Sequence, residues 1–374
     1  MIVSYNFKNN NGVIIMKTKA RVLAFYLPQY HPIPENDEWW GKGFTEWTNV
    51  GKAKKFFKGH YQPRVPADLG YYDLRVSEAR KAQADMAKEY GVEGFCYWHY
   101  WFGNGKRLIE RPFNEVLASG EPDFPFCLAW ANETWKGFAH GLTNRNVLIE
   151  QLYLGEDDHI AHFNEVLPAF KDKRYITVEG KPLFYIYQPF KLPNTQLFME
   201  LWQKLAKENG LEGIYFVANH DEPASYQSVI DLGFDAVHLN RMFAFGKKNK
   251  TILIKLYLFL KRKILNISNV FNYKDVYSSF IGEEDSKTNV FPTIIPGWDH
   301  TPRSGLKGLV YHNSTPDLFG KHLKEAIEIT KNKEAEKNII FLKSWNEWAE
   351  GNYMEPDLRW GKKYLEEFKK HIVK

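Results

Sequence analysis

Two glutamates three residues apart lie in the motif Ser344-Trp345-Asn346-Glu347-Trp348-Ala349-Glu350-Gly351. Across a turn, positions i and i+3 face the same way, with Cβ atoms ~5–6 Å apart. A retaining glycosidase holds its two carboxyls ~5–5.5 Å apart. Carboxylates that close titrate apart, and one stays protonated to serve as an acid. The bland alternative for a bare pair at this spacing is a helix N-terminus, where both acids favour the dipole. The asparagine and the flanking indoles point instead to an active-site turn with Glu347 and Glu350 as its reacting pair.

Other polar and aromatic residues follow short apolar runs in the same way. They are His31; Trp98 and His99; Asn132, Glu133 and Trp135; Tyr187; Trp298 and Asp299; and Asn346 and Trp348 around the glutamates. Asn219-His220-Asp221 and Asn240-Arg241 follow two further runs. Amides, carboxylates, imidazoles and indoles converging on one mouth would form a cup for a polyhydroxylated ligand, so these residues are the expected sugar-binding set. Each has a structural alternative. Glu133 could sit in a loop ion pair, His31 and His99 could be satisfied structural histidines, and Tyr187 could close a rim. Asp299 and His300 share a loop with Arg303, which suits either anion binding or local ion pairing. His159 and His162 fall on an expected exposed helix, and neither an H-E-x-x-H nor a Cys/His pattern exists. No metal and no cofactor is therefore expected. A G-x-S-x-G elbow and a Gly-rich phosphate loop are both missing.

The elements that would position these residues alternate. Strands are expected at Arg21–Leu27, Gly94–Tyr97, Phe124–Trp130, Pro182–Ile186, Gly213–Ala218, Ala236–Leu239, Phe291–Ile295 and Asn338–Lys343. Helices are expected at Val76–Tyr90, Pro112–Ala118, Asp157–Phe170, Asn194–Glu208 (with an Asn cap), Ala224–Leu232, Thr315–Thr330 and Gly361–Ile372. A further short strand is expected at Tyr175–Val178. Eight alternating units imply parallel strands with right-handed crossovers. They favour an α/β fold, a single (β/α)8 TIM barrel, over an open doubly wound sheet. Chemistry in such a barrel sits at the carboxyl ends of the strands, where the candidates fall.

Composition bounds the rest. The 374 residues carry 12 Trp, 21 Tyr and 27 Phe, which excludes a disordered chain. Flat aromatic faces beside polar groups suit sugar rings. The net charge of +5 comes from one segment, Lys247–Leu265, where seven cations stand without an acid. The remainder is mildly acidic, so nucleic acid is not an expected partner. The basic, apolar segment reads either as an outer barrel helix or as an insertion between strands six and seven that meets an anionic membrane surface. Cys96 and Cys127 read as buried reduced thiols of a cytoplasmic protein, with a disulfide between neighbouring strands as the alternative. Residues 1–18 lack a secretory signal and read as a disordered extension, with Met16 an alternative start and residues 19–374 a catalytic barrel. The composition sets no oligomeric state.

Longer motifs then carry a resemblance. Phe25-Tyr26-Leu27-Pro28-Gln29-Tyr30-His31-Pro32, Gly43-Phe44-Thr45-Glu46-Trp47-Thr48-Asn49-Val50, His60-Tyr61-Gln62-Pro63-Arg64, Leu69-Gly70-Tyr71-Tyr72-Asp73-Leu74 and Phe95-Cys96-Tyr97-Trp98-His99-Tyr100-Trp101, together with the Glu347 motif, resemble the WbsX-type proteins. The resemblance runs from about Arg21 to the C-terminal helix. Members of that family are bacterial proteins found among genes for O-antigen and other surface polysaccharides, often labelled glycosyltransferases. They are similar to glycoside hydrolase family 99, the endo-acting α-mannosidases and mannanases. The resemblance implies a (β/α)8 barrel and an oligosaccharide or lipid-linked glycan substrate, while the cysteines and the basic segment carry the expectation of a cytoplasmic protein at the face of the inner membrane. The resemblance also implies substrate-assisted retention. Glu347 would act as base on the sugar 2-hydroxyl, giving an epoxide-like intermediate, and Glu350 would protonate the leaving oxygen. Ala349 departs from the larger polar residue of the hydrolases, on the leaving-group side. The basic segment also falls outside the family pattern.

Overall fold

The computed structural model describes residues 6–8, 14–137, 146–245, 259–260 and 269–374. Its centre is a closed parallel barrel. The eight strands are β1 (Arg21–Tyr26), β2 (Gly94–His99), β3 (Phe126–Trp130), β4 (Lys181–Ile186), β5 (Tyr215–His220), β6 (Ala236–Leu239), β7 (Val290–Ile294) and β8 (Ile339–Leu342). Each pairs in parallel with the next, and β8 closes on β1 with Leu342 opposite Ala24. The strands are near-continuous buried apolar runs, as strands covered on both faces must be. The (β/α)8 expectation is met.

Helices α1 (Ser77–Tyr90), α2 (Arg111–Ser119), α3 (Glu156–Phe170), α4 (Thr195–Glu208), α5 (Gln227–Ile230), α6 (Pro316–Thr330) and α7 (Lys363–Ile372) lie in the segments between strands and after β8. Their ends follow local chemistry. Thr315 caps α6 by accepting from the Leu318 amide at 3.3 Å, and Gly91 ends α1 at a positive φ that a side chain disfavours. The expected Asn194 cap makes no side-chain hydrogen bond; Asn194 sits at φ +48 and turns the chain into α4 instead. The expected helix at Ala224–Leu232 shrinks to α5 behind a 3-10 turn at Pro223–Ser225. Strands β2 and β5 run two residues further than their apolar runs, which brings Trp98 and His99, and Asn219 and His220, into the sheet.

Side chains alternate across each strand. Phe25, Trp98, Tyr185, His238 and Phe341 meet inside the barrel; Phe25 stacks on Trp98 at 4.8 Å and on Phe341 at 5.2 Å. His238 completes this layer by bonding Tyr185 through Nδ1 at 2.8 Å and Thr293 through Nε2 at 2.5 Å. Tyr26, one residue on from Phe25, packs with Phe95 and Tyr97 under the helices. Cys96 and Cys127 are register partners on β2 and β3 and are free, buried thiols.

Residues Asn6–Lys8 pair antiparallel with Ile14–Met16, in the stretch whose composition suggested no structure. The Lys19 amide then donates to the Ile372 carbonyl at 2.8 Å, tying the start of the barrel to α7. Within the basic segment Lys247–Leu265 only Phe259 and Leu260 fall among the described residues, and both are exposed. Among the described residues no helix is long and apolar enough to cross a membrane.

Candidate active site

The glutamate turn is built by closure of β8 on β1. The Ser344 hydroxyl donates to the Phe25 carbonyl at 3.2 Å and accepts from the amides of Asn346 and Glu347 at 3.3 and 3.2 Å. The Asn346 side chain accepts from the Leu27 amide at 2.8 Å and donates to the Leu27 carbonyl at 3.0 Å. The Tyr30 hydroxyl donates to the Asn346 carbonyl and accepts from the Trp348 amide at 3.2 Å. Residues Trp348–Glu350 then form a 3-10 turn that ends at Gly351, φ +59. Seven polar contacts thus fix where Glu347 and Glu350 leave the backbone.

Arg303, on the short helix Thr301–Ser304 beyond β7, joins the pair. Its Nη1 donates to Glu350 at 2.5 Å and its Nη2 to Glu347 at 3.2 Å. A third carboxylate, Glu46 from the first loop, accepts from Nε at 3.2 Å. His300 Nε2 stands 3.6 Å from Glu350. One guanidinium therefore faces three buried or half-buried carboxylates. Burial and the charge of Glu350 push the Glu347 carboxyl up to about 8, against the pull of Arg303. Burial first, then Glu350, also raises Glu133. The phenols of Tyr100 and Tyr187 are raised by burial and then by these glutamates, so both remain neutral donors. Lys343 stands two residues beyond Phe341 and so on the same inward face of β8, one layer higher. Its charge pulls Glu347 and Glu133 down and depresses His238.

The sequence candidates divide into two groups. Glu347, Glu350, Glu133 and Tyr187 converge electrostatically, and Trp98 stands half-buried with its face on Phe25 and its edge toward Tyr187 at 5.6 Å. The others are taken up by the protein. Asn132 donates to Tyr153 and to the Gln188 carbonyl, each at 3.0 Å, and accepts from the Gln188 amide. Asn346 clasps Leu27 as described. Asp299 accepts from His60 and Gln62, each at 2.7 Å, and from Thr301, and these donors hold its carboxyl below the usual range against burial. Trp348 donates to Glu355 at 2.6 Å and stacks on Tyr353 at 3.8 Å. Trp135 is buried against Tyr100 and Phe102, and Trp298 is buried with its face toward His300 at 5.9 Å. His31 is buried on the Pro28 carbonyl at 3.0 Å. His99 meets His162 at 2.8 Å, and burial holds both neutral. The helix expected to expose His159 and His162 buries them instead; His162 stacks on Trp101 at 4.8 Å. These indoles, amides and imidazoles build the walls behind the cup rather than its surface. Glu46 and Lys343 went unread as members of the site, although Glu46 stands in a quoted motif, and Arg303 was read for anion binding or local ion pairing without its glutamate partners. Among the described residues no group of three or more His, Cys, Asp or Glu side chains is placed to hold a metal ion.

Comparison with known proteins bears on the family and the fold. The description of the glycosyltransferase WbsX family matches residues 22–368. The uncharacterized protein WxcX of Xanthomonas campestris pv. campestris (strain B100) is 36% identical over 353 residues, 93% of this chain and 49% of the relative. The chain spans about half the length of the curated relatives it matches. A solved glycoside hydrolase-like protein superposes with TM-score 0.59 at 15% identity, covering 100% of this chain and 97% of that one. The GH99 endo-alpha-mannosidase from Bacteroides thetaiotaomicron, in complex with BIS-TRIS-Propane, superposes with TM-score 0.57 at 15% identity, covering 94% and 98%. At that identity the likeness is one of fold.

Proposed function

We propose, from the premise that the chain belongs to the WbsX glycosyltransferase family, that it is a carbohydrate-active enzyme acting on a glycosidic bond with retention. The observation that carries this reading is the pairing of Glu347 and Glu350 on adjacent nitrogens of Arg303 at the mouth of the barrel. Two carboxyls and one proton are what the chemistry requires: one group protonates the leaving oxygen while the other supports the anomeric centre. The raised Glu347 carboxyl supplies that proton in the resting cup. The roles implied by resemblance, Glu347 as base and Glu350 as acid, need the proton on Glu350. A sugar 2-hydroxyl donating to Glu347 would favour the ionised form of that carboxyl, which is the form its role as base requires.

The fold likeness to glycoside hydrolases favours water as acceptor, and the family description favours a sugar hydroxyl. The two reactions share the first step. The substrate class proposed is a bacterial surface polysaccharide, such as an O-antigen, or its lipid-linked precursor, handled by residues 19–374 as one catalytic barrel. The cations of Lys247–Leu265 would bring that barrel to an anionic membrane surface at the cytoplasmic face.

The test is turnover of candidate oligosaccharides by the native chain, Glu347→Gln and Glu350→Gln, with product NMR in the presence of a labelled acceptor. Retained anomeric configuration and loss in both variants are expected. Unchanged turnover in both would remove the pair from the reaction, and label in the product separates transfer from hydrolysis.

A further inference from the structure

The motif His60-Tyr61-Gln62-Pro63-Arg64 takes no part in the cup. Its His60, Tyr61 and Arg64 line a cavity of about 50 Å³ on the other side of the glutamate turn, together with residues from the loops after β7 and β8. Two guanidiniums meet there. Arg64 and Arg359 lie over the same Tyr61 ring, at 5.4 and 4.9 Å from its centroid.

The carboxylates of the cavity are already engaged. Asp299 accepts from His60 and Gln62 through Oδ2 and from the Thr301 amide and hydroxyl through Oδ1. Asp357 accepts from Tyr353 at 2.7 Å through Oδ2 and from the amides of Arg359 and Trp360 through Oδ1. The guanidinium donors are not. Arg64 reaches Tyr353 at 3.4 Å and Asp299 at 4.0 Å, both long for a charged pair, and its buried Nε has no partner. Among the described residues the Arg359 guanidinium meets aromatic rings and no carboxylate. Five N–H donors on each planar fork match a carboxylate or phosphate. Over one ring, the two forks keep N–H donors that the bonded carboxylate oxygens of the cavity do not take up.

We propose that this cavity binds an oxyanion group, a carboxylate or a phosphate, between Arg64 and Arg359. The volume admits the head of such a group and not a whole sugar ring. The site also touches the catalytic turn from behind. A Cβ on Gly351 would stand 2.9 Å from Arg64 Cζ and 2.7 Å from Asp299 Cβ, so the glycine backbone is the shared wall. An anion held here is one residue along the chain from Glu350.

The experiment is calorimetric titration of the full chain with sodium phosphate and, separately, sodium glucuronate, against sodium chloride at equal ionic strength. Saturable binding of at least one oxyanion is expected, weakened about tenfold or more in Arg359→Gln and in Arg64→Gln. Arg359 is exposed, so its variant tests the site without disturbing the fold. Glu350→Gln, which lies in the cup, should bind the same anion within about twofold. Binding of phosphate alone points to a phosphoryl group as the natural occupant, and binding of glucuronate to a carboxylate borne by a sugar. Heat no different from chloride, equal binding by Arg359→Gln, or loss of binding in Glu350→Gln would overturn the proposal.

Discussion

The turn Trp348–Gly351 separates two polar regions with opposite surpluses. On the cup side, one guanidinium faces Glu46, Glu347 and Glu350, so acid exceeds base. On the cavity side, Arg64 and Arg359 face carboxylates whose oxygens are already bonded, so donors exceed free acceptors. Two buried carboxyls show the difference. Glu347 has its value raised to about 8, while Asp299 has its value lowered. Both lose solvent, but Glu347 gains like charges and Asp299 gains N–H and O–H donors. Burial is the largest push on Glu347 and like charge adds to it, whereas at Asp299 the donors and Arg64 overcome the same push.

The largest expected effect breaks the cup directly. Glu350→Gln and Glu347→Gln should each lower turnover by about 10²–10⁴-fold, measured as kcat on a cleaved glycan with circular dichroism unchanged. Next, Arg303→Met should strip Glu46, Glu347 and Glu350 of their shared cation and cost about 3–5 kcal/mol in urea unfolding near neutral pH, less under acid. No loss of stability would mean that the three pairs contribute nothing.

The opposite titrations give the sharper comparison. Asp299 has a lowered value, so its stabilisation is present above the unfolded carboxyl range and fades as pH falls through the folded value. Asp299→Asn should destabilise by about 1–3 kcal/mol near neutrality, with the gap narrowing on acidification. Glu347 has a raised value, so its protonated form stabilises below the unfolded value, and that contribution is lost as pH climbs toward 8. Glu347→Gln should therefore stabilise by roughly 1–3 kcal/mol near pH 8 and converge with the native chain under acid. Equal pH slopes for the two variants would erase the contrast. The smallest effect is Arg359→Gln, within about 0.5 kcal/mol of native stability.

The barrel was legible because its strands are short apolar runs spaced by helical patterns, and because β1 to β8 needed only that alternation. Glu347 and Glu350 were legible because both lie in one local motif. Arg303 and Glu46 were not, since only closure of the ring brings the first loop, the loop after β7 and the end of β8 together. The tryptophans were misread for a different reason. Abundant indoles suggested sugar-stacking faces, yet Trp135, Trp298 and Trp348 are buried, and Asn132 and Asn346 hold backbone in place. Long loops that must stay ordered need cores and clasps of their own, and indoles and amides provide them as readily as they bind sugars.

The layer beneath the cup has one more consequence. Thr293 donates its hydroxyl proton to the Leu239 carbonyl at 2.9 Å, so it can only accept from His238 Nε2. His238 Nδ1 must then accept from Tyr185. Every proton in that row has one assigned owner, and burial keeps the imidazole neutral. The row is a satisfied, neutral layer under the glutamates, so it adds no charge of its own to the field that Glu350, Arg303, Glu46 and Lys343 set at Glu347.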